Sequence, residues 1–273
     1  MSLRVMGQAA VTMNQLQQQL DVIGHNIANA NTTGYKQRTS EFSDLLFQQI
    51  HNMTQPGNEV GRSTNDGIRI GTGAKLGAVN NDFSIGSLQN TDRPLDIALT
   101  QPTHFMQVIT NVNGREEIQY TRDGSLYVSS EGNDLVLVSK DGHPINGENG
   151  PIRFSDNIDS IRIGTDGRVY VTENGAEQYA GTIQVRHITK PRLLETTGDN
   201  IFQLRVQNTG FNEAEIAQLV DENNIMESGK LEMANVDIGL QMVELMNAQR
   251  AYQVNARSIT MADQMQGLVN QLR

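Results

Sequence analysis

The sequence contains no cysteine and no tryptophan, and only six of its 273 residues are proline. The lack of cysteine excludes disulfide bonds, a thiolate nucleophile and every zinc or iron–sulfur site that needs cysteine ligands. Basic residues are in the minority: 21 Lys and Arg stand against 31 Asp and Glu, which gives a formal net charge of −10. A general nucleic-acid binder carries a basic patch or stripe, so we expect no nucleic acid among the partners.

Long hydrophobic runs are also missing. The longest early stretch without a formal charge, residues 5–20, is interrupted by seven amide and hydroxyl side chains. A membrane-spanning helix needs about 20 mostly apolar residues, and a secretory signal needs a compact apolar stretch before a small-residue cleavage site. We therefore expect a soluble chain without direct membrane insertion, which would leave the cytoplasm only by a route that reads no such signal.

Motifs for catalysis and metal binding are absent as well. The five histidines are scattered without ligand spacing, and neither His-Glu-x-x-His nor Gly-x-Ser-x-Gly occurs. The glycines of 71–77 are spaced one residue too far apart for a dinucleotide loop, and no Asp-Gly pair lies in a calcium-loop frame. We expect no enzyme activity, no catalytic, cofactor-binding or metal site, and no cofactor.

Amides are abundant, with 26 Asn and 24 Gln. Amide side chains both donate and accept hydrogen bonds, so they suit surfaces that are soluble alone and later become buried against copies or partners. A compositional preference of the source organism would give the same counts.

Residues 1–30 are predicted to form a helix. Its apolar positions step by three and four, which is typical of a coiled-coil seam. Between Arg4 and Lys36 the only formal charge is Asp21. An amphipathic helix with Gln in place of Glu would show this pattern, but a helix buried on several sides in an assembly explains it better. The seam residues are Met13, Leu16, Leu20, Ile23 and Ile27.

Residues 31–75 are predicted to be an extended connection with one short helix. Ser40 is its candidate N-cap, and Glu41 and Asp44 lie in its first turn, with the helix continuing to Ile50. From residue 53 to about 75, Gly, Asn, Thr and Pro predict a loop or an extended hairpin.

Residues 76–206 are predicted to form a central β domain. Short apolar runs alternate with turn dipeptides, and the clearest hairpin is 161–171 around Asp166-Gly167. Helical periodicity is absent, which favours a barrel or a sandwich. Further strands are predicted at 126–128, 135–138, 183–188 and 201–206, and residues 207–234 are predicted to form a second connecting region.

The C-terminal zone, 235–273, returns to helix, with Asn235 as the candidate N-cap and a helix over about 236–271. Leu245, Tyr252 and Ile259 follow the three-and-four rhythm. Two long terminal helices that bracket a β domain most simply pair with each other as a coiled coil. The predicted fold class is therefore α+β.

Three motifs carry a family resemblance. Residues 26–36 (NIANANTTGYK), 120–126 (YTRDGSL) and the pair 231–237 (LEMANVD) and 248–255 (AQRAYQVN) resemble the N-terminal, central and C-terminal signatures of flagellar basal-body rod and hook proteins. Ala234 stands where that family usually has Ser. The motif residues are Asn26, Ala28, Asn29, Thr32, Gly34, Tyr35, Lys36, Asn235, Val236, Gln249, Arg250, Ala251 and Tyr252.

Within that family, the 67–73 stretch and the chain length most resemble the distal rod members, because hook subunits usually carry a larger central insertion. Residues 101–106 (QPTHFM) depart from the Gly-x-Gly-Phe-Phe turn common in the family. This departure indicates a diverged rod paralogue and leaves the choice between proximal and distal position open.

The resemblance implies a structural subunit of the bacterial flagellar basal-body rod. Such a subunit is exported through the flagellar export apparatus, polymerises helically with copies of itself and with other axial proteins of the rod and hook, and transmits torque from motor to hook. It also implies that Met13, Leu16, Leu20, Ile23 and Ile27 form an inner seam with Leu245, Tyr252 and Ile259. Two alternatives remain open: a hook-type axial subunit, and a non-flagellar surface binding module with helical oligomerisation tails.

Overall fold

The computed structural model describes residues 2–44, 48–50, 68–70, 74–112, 114–132, 134–198, 200–206, 210–220 and 224–271. Within these ranges the chain forms the α-helices α1 (Ser2–Ala28), α2 (Glu213–Ile216) and α3 (Ile238–Gln271), and a 3-10 turn at Pro191–Leu193. The chain divides into two compact units. The first unit contains Met1–Ile27, Arg38–Asn80 and Ile238–Arg273, and the second contains Ala28–Gln37 and Asn81–Asp237.

Twenty-two short strands account for most of the regular structure in the described ranges. The first four are β1 (Arg38–Asp44), β2 (Gln48–Ile50), β3 (Ile68–Ile70) and β4 (Ala74–Asn81). The remaining strands are β5 (Leu88–Asn90), β6 (Ile97–Leu99), β7 (His104–Val112), β8 (Arg115–Thr121), β9 (Leu126–Glu131), β10 (Asp134–Ser139), β11 (Asn146–Gly147), β12 (Gly150–Pro151), β13 (Arg153–Ser155), β14 (Ser160–Ile163), β15 (Arg168–Glu173), β16 (Ala176–Thr182), β17 (Val185–Ile188), β18 (Leu194–Gly198), β19 (Ile201–Leu204), β20 (Ala217–Leu219), β21 (Met226–Ser228) and β22 (Lys230–Glu232). Terminal helices that bracket a mostly β central part confirm the predicted α+β class.

The first unit contains both long helices. Asn26 near the end of α1 donates a hydrogen bond from Nδ2 to Oε1 of Gln241 near the start of α3, over 3.0 Å, and both side chains are buried. Ala9, Ile23, Ala248 and Ala262 are also buried. Among the described residues, no helix has the length and apolarity that a bilayer crossing requires.

The prediction of a short helix from Ser40 to Ile50 is wrong for the described residues of that segment, which belong to β1 and β2. The Asn26 side chain forms hydrogen bonds with both polar backbone groups of Arg38. Its Oδ1 accepts from the Arg38 N–H (2.9 Å), and its Nδ2 donates to the Arg38 carbonyl (2.8 Å). This pairing holds residue 38 extended, and β1 then pairs with β4. The Ser/Glu/Asp pattern of an N-cap is outweighed by a partner 12 positions earlier in the chain.

The base of the predicted 53–75 hairpin is partly described. Strands β2 and β3 pair antiparallel, with Gln48 opposite Ile70 and Ile50 opposite Ile68. Residues 51–67 and 71–73 lie outside the described ranges.

A six-stranded antiparallel sheet forms the centre of the second unit, in the order β18-β19-β8-β7-β17-β20. Residues of β7 alternate between its two faces. Met106 and Val108 belong to a large aliphatic core cluster, whereas Phe105 belongs to a second, aromatic cluster. In that second cluster, the Phe83 ring packs edge-on against the rings of Phe105 and Phe202, with distances between ring centroids of 5.2 Å and 5.3 Å. The sheet is therefore buried on both faces.

The hairpin predicted around Asp166-Gly167 is confirmed: β14 and β15 pair antiparallel, with Ile161 opposite Val171 and Ile163 opposite Val169. Gly167 has φ of +82°, which its position in the turn requires. Strands also cover most of the segments predicted at 126–128, 135–138, 183–188 and 201–206.

Beyond residue 206, the described part of the second unit contains three strands. β20, β21 and β22 pair with β17, β6 and β5 respectively. The second unit therefore includes much of the 207–234 region and residues 28–37, in addition to the segment predicted as the β domain.

Helix α3 begins at Ile238. The prediction that Asn235 is its N-cap is therefore wrong. The Asn235 side chain is engaged elsewhere in the second unit: its Oδ1 accepts the Gln37 N–H (2.7 Å), and its Nδ2 donates to the Asp82 carbonyl (2.9 Å) and to Ser84 Oγ (2.9 Å). The residue therefore joins the two ends of the second unit.

Candidate functional site

Three charged side chains from distant parts of the sequence meet in the interior of the second unit. Lys36 ends the 26–36 motif, Arg122 follows β8, and Glu232 is the last residue of β22. Their side chains are 0%, 0% and 1% exposed. We call these three residues the ion triad.

Glu232 binds both cations, each through a different carboxylate oxygen. Its Oε1 accepts from Lys36 Nζ (2.5 Å) and from the Gly86 backbone N–H (3.0 Å). Its Oε2 accepts from Arg122 Nη2 (2.8 Å) and Nε (3.1 Å). Hydrogen bonds between charged groups of this kind are shorter and stronger than those between neutral groups.

The remaining donors of the two cations bind backbone carbonyls. Arg122 Nη1 donates to the carbonyls of Gln101 (2.8 Å), Pro102 (2.9 Å) and His104 (2.7 Å). Lys36 Nζ also donates to the Ser84 carbonyl (2.6 Å). The 101–104 turn, where the sequence departs from the family's glycine-rich pattern, is thus tied to the ion triad through its backbone oxygens.

Burial disfavours the charged forms of Lys36 and Arg122, and the positive charge of Arg122 further disfavours that of Lys36. Burial, together with the neighbouring Arg122 guanidinium, lowers the pKa of Lys36 to about 8, although the Glu232 carboxylate favours the charged form. Burial also lowers the pKa of Arg122, which Glu232 partly offsets. At neutral pH two cations therefore share one carboxylate in an interior that is inaccessible to bulk solvent.

The backbones around the ion triad approach each other closely, and two glycines make this possible. Gly34 donates its N–H to the Glu232 carbonyl (2.9 Å) and has φ of +67°; a Cβ there would lie 2.6 Å from Cα of Asp123. At Gly86, a Cβ would overlap the Met233 carbonyl oxygen. Both positions therefore require glycine.

Asp123 adds a further tie to this region. Its Oδ1 accepts from Thr33 Oγ1 (3.0 Å) and from the Ser125 N–H (3.1 Å), and its Oδ2 pairs with Lys140 Nζ at 2.6 Å. The side chain next to Arg122 therefore also holds the 26–36 motif, through Thr33.

The structure leaves little chemistry for these groups beyond holding the chain together. Every oxygen and nitrogen of the Glu232 and Arg122 head groups has a partner in the protein. Among the described residues, no three His, Asp or Glu side chains converge as metal ligands would. The arrangement is that of a structural junction.

The predicted seam residues lie on the less exposed sides of the two long helices. Ile23 is buried, and the others are half-buried: Met13, Leu16, Leu20, Ile27, Leu245, Tyr252 and Ile259. Of the motif residues, Asn26, Gly34, Tyr35 and Lys36 are buried, and Ala28, Gln249 and Arg250 are exposed. The half-buried motif residues are Asn29, Thr32, Asn235, Val236, Ala251 and Tyr252.

Sequence reasoning identified Lys36 only as a motif residue and did not single out Arg122, Glu232 or Gln241. The available signal was a charged residue inside each of two motifs, YTRDGSL and LEMANVD. Nothing in the sequence indicated that the two would pair, since 110 positions separate Arg122 from Glu232.

Family models match the chain in three segments. Residues 8–36 match the flagella basal body rod protein model, residues 102–171 match the flagellar hook protein FlgE/F/G D1 domain, and residues 227–272 match the flagellar basal body rod FlgEFG protein C-terminal model. Each matched segment contributes one residue of the ion triad.

Relatives match over nearly the full length. The chain is 42% identical to the flagellar hook-basal body complex protein FlhP of Bacillus subtilis, covering 99% of this chain and all of that protein. It is 32% identical to the flagellar basal-body rod protein FlgG of the same organism (94% and 95% covered) and 32% identical to FlgG of Caulobacter vibrioides (97% of each). With the matched segments joined in one folded junction, the chain belongs to the family of flagellar basal-body rod proteins.

Proposed function

We propose that this chain builds the flagellar rod by packing its two terminal helices first on each other and then on the helices of neighbouring copies. Membership in the family makes the chain a structural, axial component of the flagellar basal body. The observation that supports the assembly mode is that α3 has two apolar faces, of which one is exposed in the single chain.

The first face of α3 contacts its own unit. Gln241, Leu245, Ala248, Tyr252 and Ile259 are spaced by three, four or seven residues, and all are buried or half-buried. The Asn26–Gln241 hydrogen bond places the end of α1 beside the start of α3, so we propose an antiparallel pair. A buried polar pair of this kind fixes helix register, because a shift would break the bond and leave the buried Oε1 of Gln241 without this donor.

The second face of α3 is apolar and exposed. Single apolar residues scattered over a protein surface are ordinary, but here six are grouped at helical intervals on one helix, and each is between 49% and 62% exposed. These residues are Val243, Met246, Val254, Met261, Met265 and Leu268. Neighbouring copies of the chain in a helical filament would cover this face. Such a filament forms when a heterologous contact between copies does not close into a ring.

The exposed side of α1 is suited to the same use. It carries Asn14, Gln17, Gln18 and the single acidic residue Asp21. Amides cost less to desolvate than charges and still form hydrogen bonds across an interface. We propose layered coiled-coil packing of α1 and α3 among copies, with further contacts to other axial proteins of the rod and hook after export through the flagellar apparatus.

The test uses a strain whose own copy of this protein is deleted and replaced by variants. We expect Val254→Glu to be absent from isolated hook–basal bodies and to abolish swimming, because a charge would be buried between helices. Val254→Leu keeps the apolar face, and Thr260→Glu adds the same charge at an exposed position away from both faces, so both should incorporate. Normal incorporation of Val254→Glu, at equal protein levels, would overturn the proposed assembly face.

A further inference from the structure

The ion triad contains an excess of positive charge with a single carboxylate as counter-ion. Lys36 and Arg122 both bind Glu232, and all three side chains are inaccessible to solvent. Asp82 also attracts Lys36, but less strongly than Glu232 does. Buried charges are tolerated when they are paired and hydrogen-bonded, so removal of the shared partner exposes each cation to the other.

The same carboxylate joins the two ends of the second unit. Lys36 lies 196 positions from Glu232, at the end of the N-terminal connection 28–37. The C-terminal connection, 230–237, is held by Glu232 itself and by the Met233 N–H, which donates to the Ser87 carbonyl (2.9 Å). The two connections also bond each other, because the Gln37 N–H donates to Asn235 Oδ1.

We propose that Glu232 is the positioning residue that docks both connections onto the β structure in one cooperative step, whereas the charge of Lys36 is dispensable. Without Lys36, Arg122 and Glu232 remain a pair with no net charge, joined by two hydrogen bonds to Glu232 Oε2, and the carbonyl partners of Arg122 are intact. Without the Glu232 charge, two buried cations lie close together with no carboxylate between them. This proposal concerns the single chain and does not depend on assembly into a rod.

Amide hydrogen exchange on the full-length chain tests the proposal. The reporters are the amides of Gln37 and Met233, one in each connection, and the Gly164 amide, which bonds the Arg168 carbonyl in the 160–173 hairpin, is the internal reference. We expect Glu232→Gln to accelerate exchange at both reporters about a hundredfold, while the Gly164 rate changes less than about twofold. Lys36→Met should accelerate both reporters less than about tenfold.

The double variant Lys36→Met/Glu232→Gln supplies the charge-balance signature. Because it retains one unpaired cation instead of two, it should exchange at least about tenfold more slowly than Glu232→Gln alone. A packing defect at Glu232 would not be rescued in this way. The matched control is Glu227→Gln, which removes a carboxylate paired with Lys230 at the surface and should leave all three amides unchanged.

Two results would overturn the proposal. One is acceleration at only one reporter in Glu232→Gln, which would mean that the connections dock independently. The other is a double variant that exchanges as fast as Glu232→Gln. If Glu232→Gln does not fold, the double variant decides the question: recovery of the folded exchange pattern supports the proposal, and an unfolded double variant contradicts it.

Discussion

The protonation of Lys36 leads to an unusual pH dependence of stability. In the folded chain, burial beside Arg122 lowers the pKa of Lys36 from 10.5 to about 8. In the unfolded chain the same amine keeps its proton up to about pH 10.5. Between about pH 8 and pH 10.5 the unfolded state therefore binds more protons, and stability rises as pH rises through this window. Most surface lysines would contribute nothing there.

The magnitude follows from the size of the pKa change. A shift of about 2.5 units corresponds to a charging cost of about 3 kcal/mol at pH 7, since each unit is worth about 1.4 kcal/mol. By pH 9 about 1 kcal/mol of this cost is relieved, and further relief follows up to pH 10.5. Tyr120 acts in the opposite direction at higher pH, because burial and Glu213 raise its pKa to about 12. Measurements up to pH 9 avoid this contribution.

Urea unfolding at pH 7 and pH 9 checks the prediction, with Lys36→Met as the control that lacks the titrating amine. Near-ultraviolet circular dichroism of tyrosine is a suitable signal, because five of the six tyrosines lie in the second unit. We expect the stability of the natural chain relative to Lys36→Met to rise by about 1 kcal/mol between the two pH values, a shift of about 0.5 M in the urea midpoint. An unchanged or falling difference would refute a buried, charged Lys36.

Three further predictions concern packing and domain extent. Leu20→Asp should reduce incorporation into basal bodies at least about tenfold, because it places a charge in the helix seam, whereas Leu20→Met, which keeps the seam apolar, should incorporate; swimming and isolated basal bodies report the outcome. Gly86→Ala should lower the free energy of unfolding by about 2–4 kcal/mol, since the added Cβ overlaps a backbone carbonyl, as urea unfolding would show. A fragment of residues 28–237 should have a higher urea midpoint than 76–206, which lacks Glu232 and three strands.

Each of these predictions has a clear contrary result. Equal incorporation of Leu20→Asp and Leu20→Met would place the seam elsewhere on α1. A Gly86→Ala variant as stable as the natural chain would mean that the connection after β22 yields without cost. Equal midpoints for the two fragments would mean that the terminal connections contribute nothing to the β structure.

Local patterns were sufficient to predict the long helices and the hairpins. The seam spacing located α1, and the Asp166-Gly167 dipeptide located the hairpin of β14 and β15, because the signals for these elements lie within a few residues of one another. The same holds for the α+β class. The family resemblance rested on three motifs and is confirmed by full-length relatives.

Non-local contacts explain where the sequence analysis failed. Residues 40–44 have the composition of a helix start, yet the Asn26 side chain holds Arg38 extended. Asn235 has the chemistry of an N-cap, but its side-chain oxygen accepts a hydrogen bond from the Gln37 N–H, which is 198 positions away in the sequence. The ion triad is the extreme case, since its members acquire meaning only when three distant segments meet. No periodicity or spacing in one sequence encodes such a contact.

The most direct test of the account is immunogold electron microscopy of purified hook–basal bodies, with an antibody against the 160–173 hairpin. That hairpin lies outside the ion triad and the two long helices. If the chain is a rod subunit, gold labels the shaft between motor and hook, and its axial position separates a proximal from a distal subunit. Basal bodies without label, with the protein found elsewhere on the cell, would contradict the account.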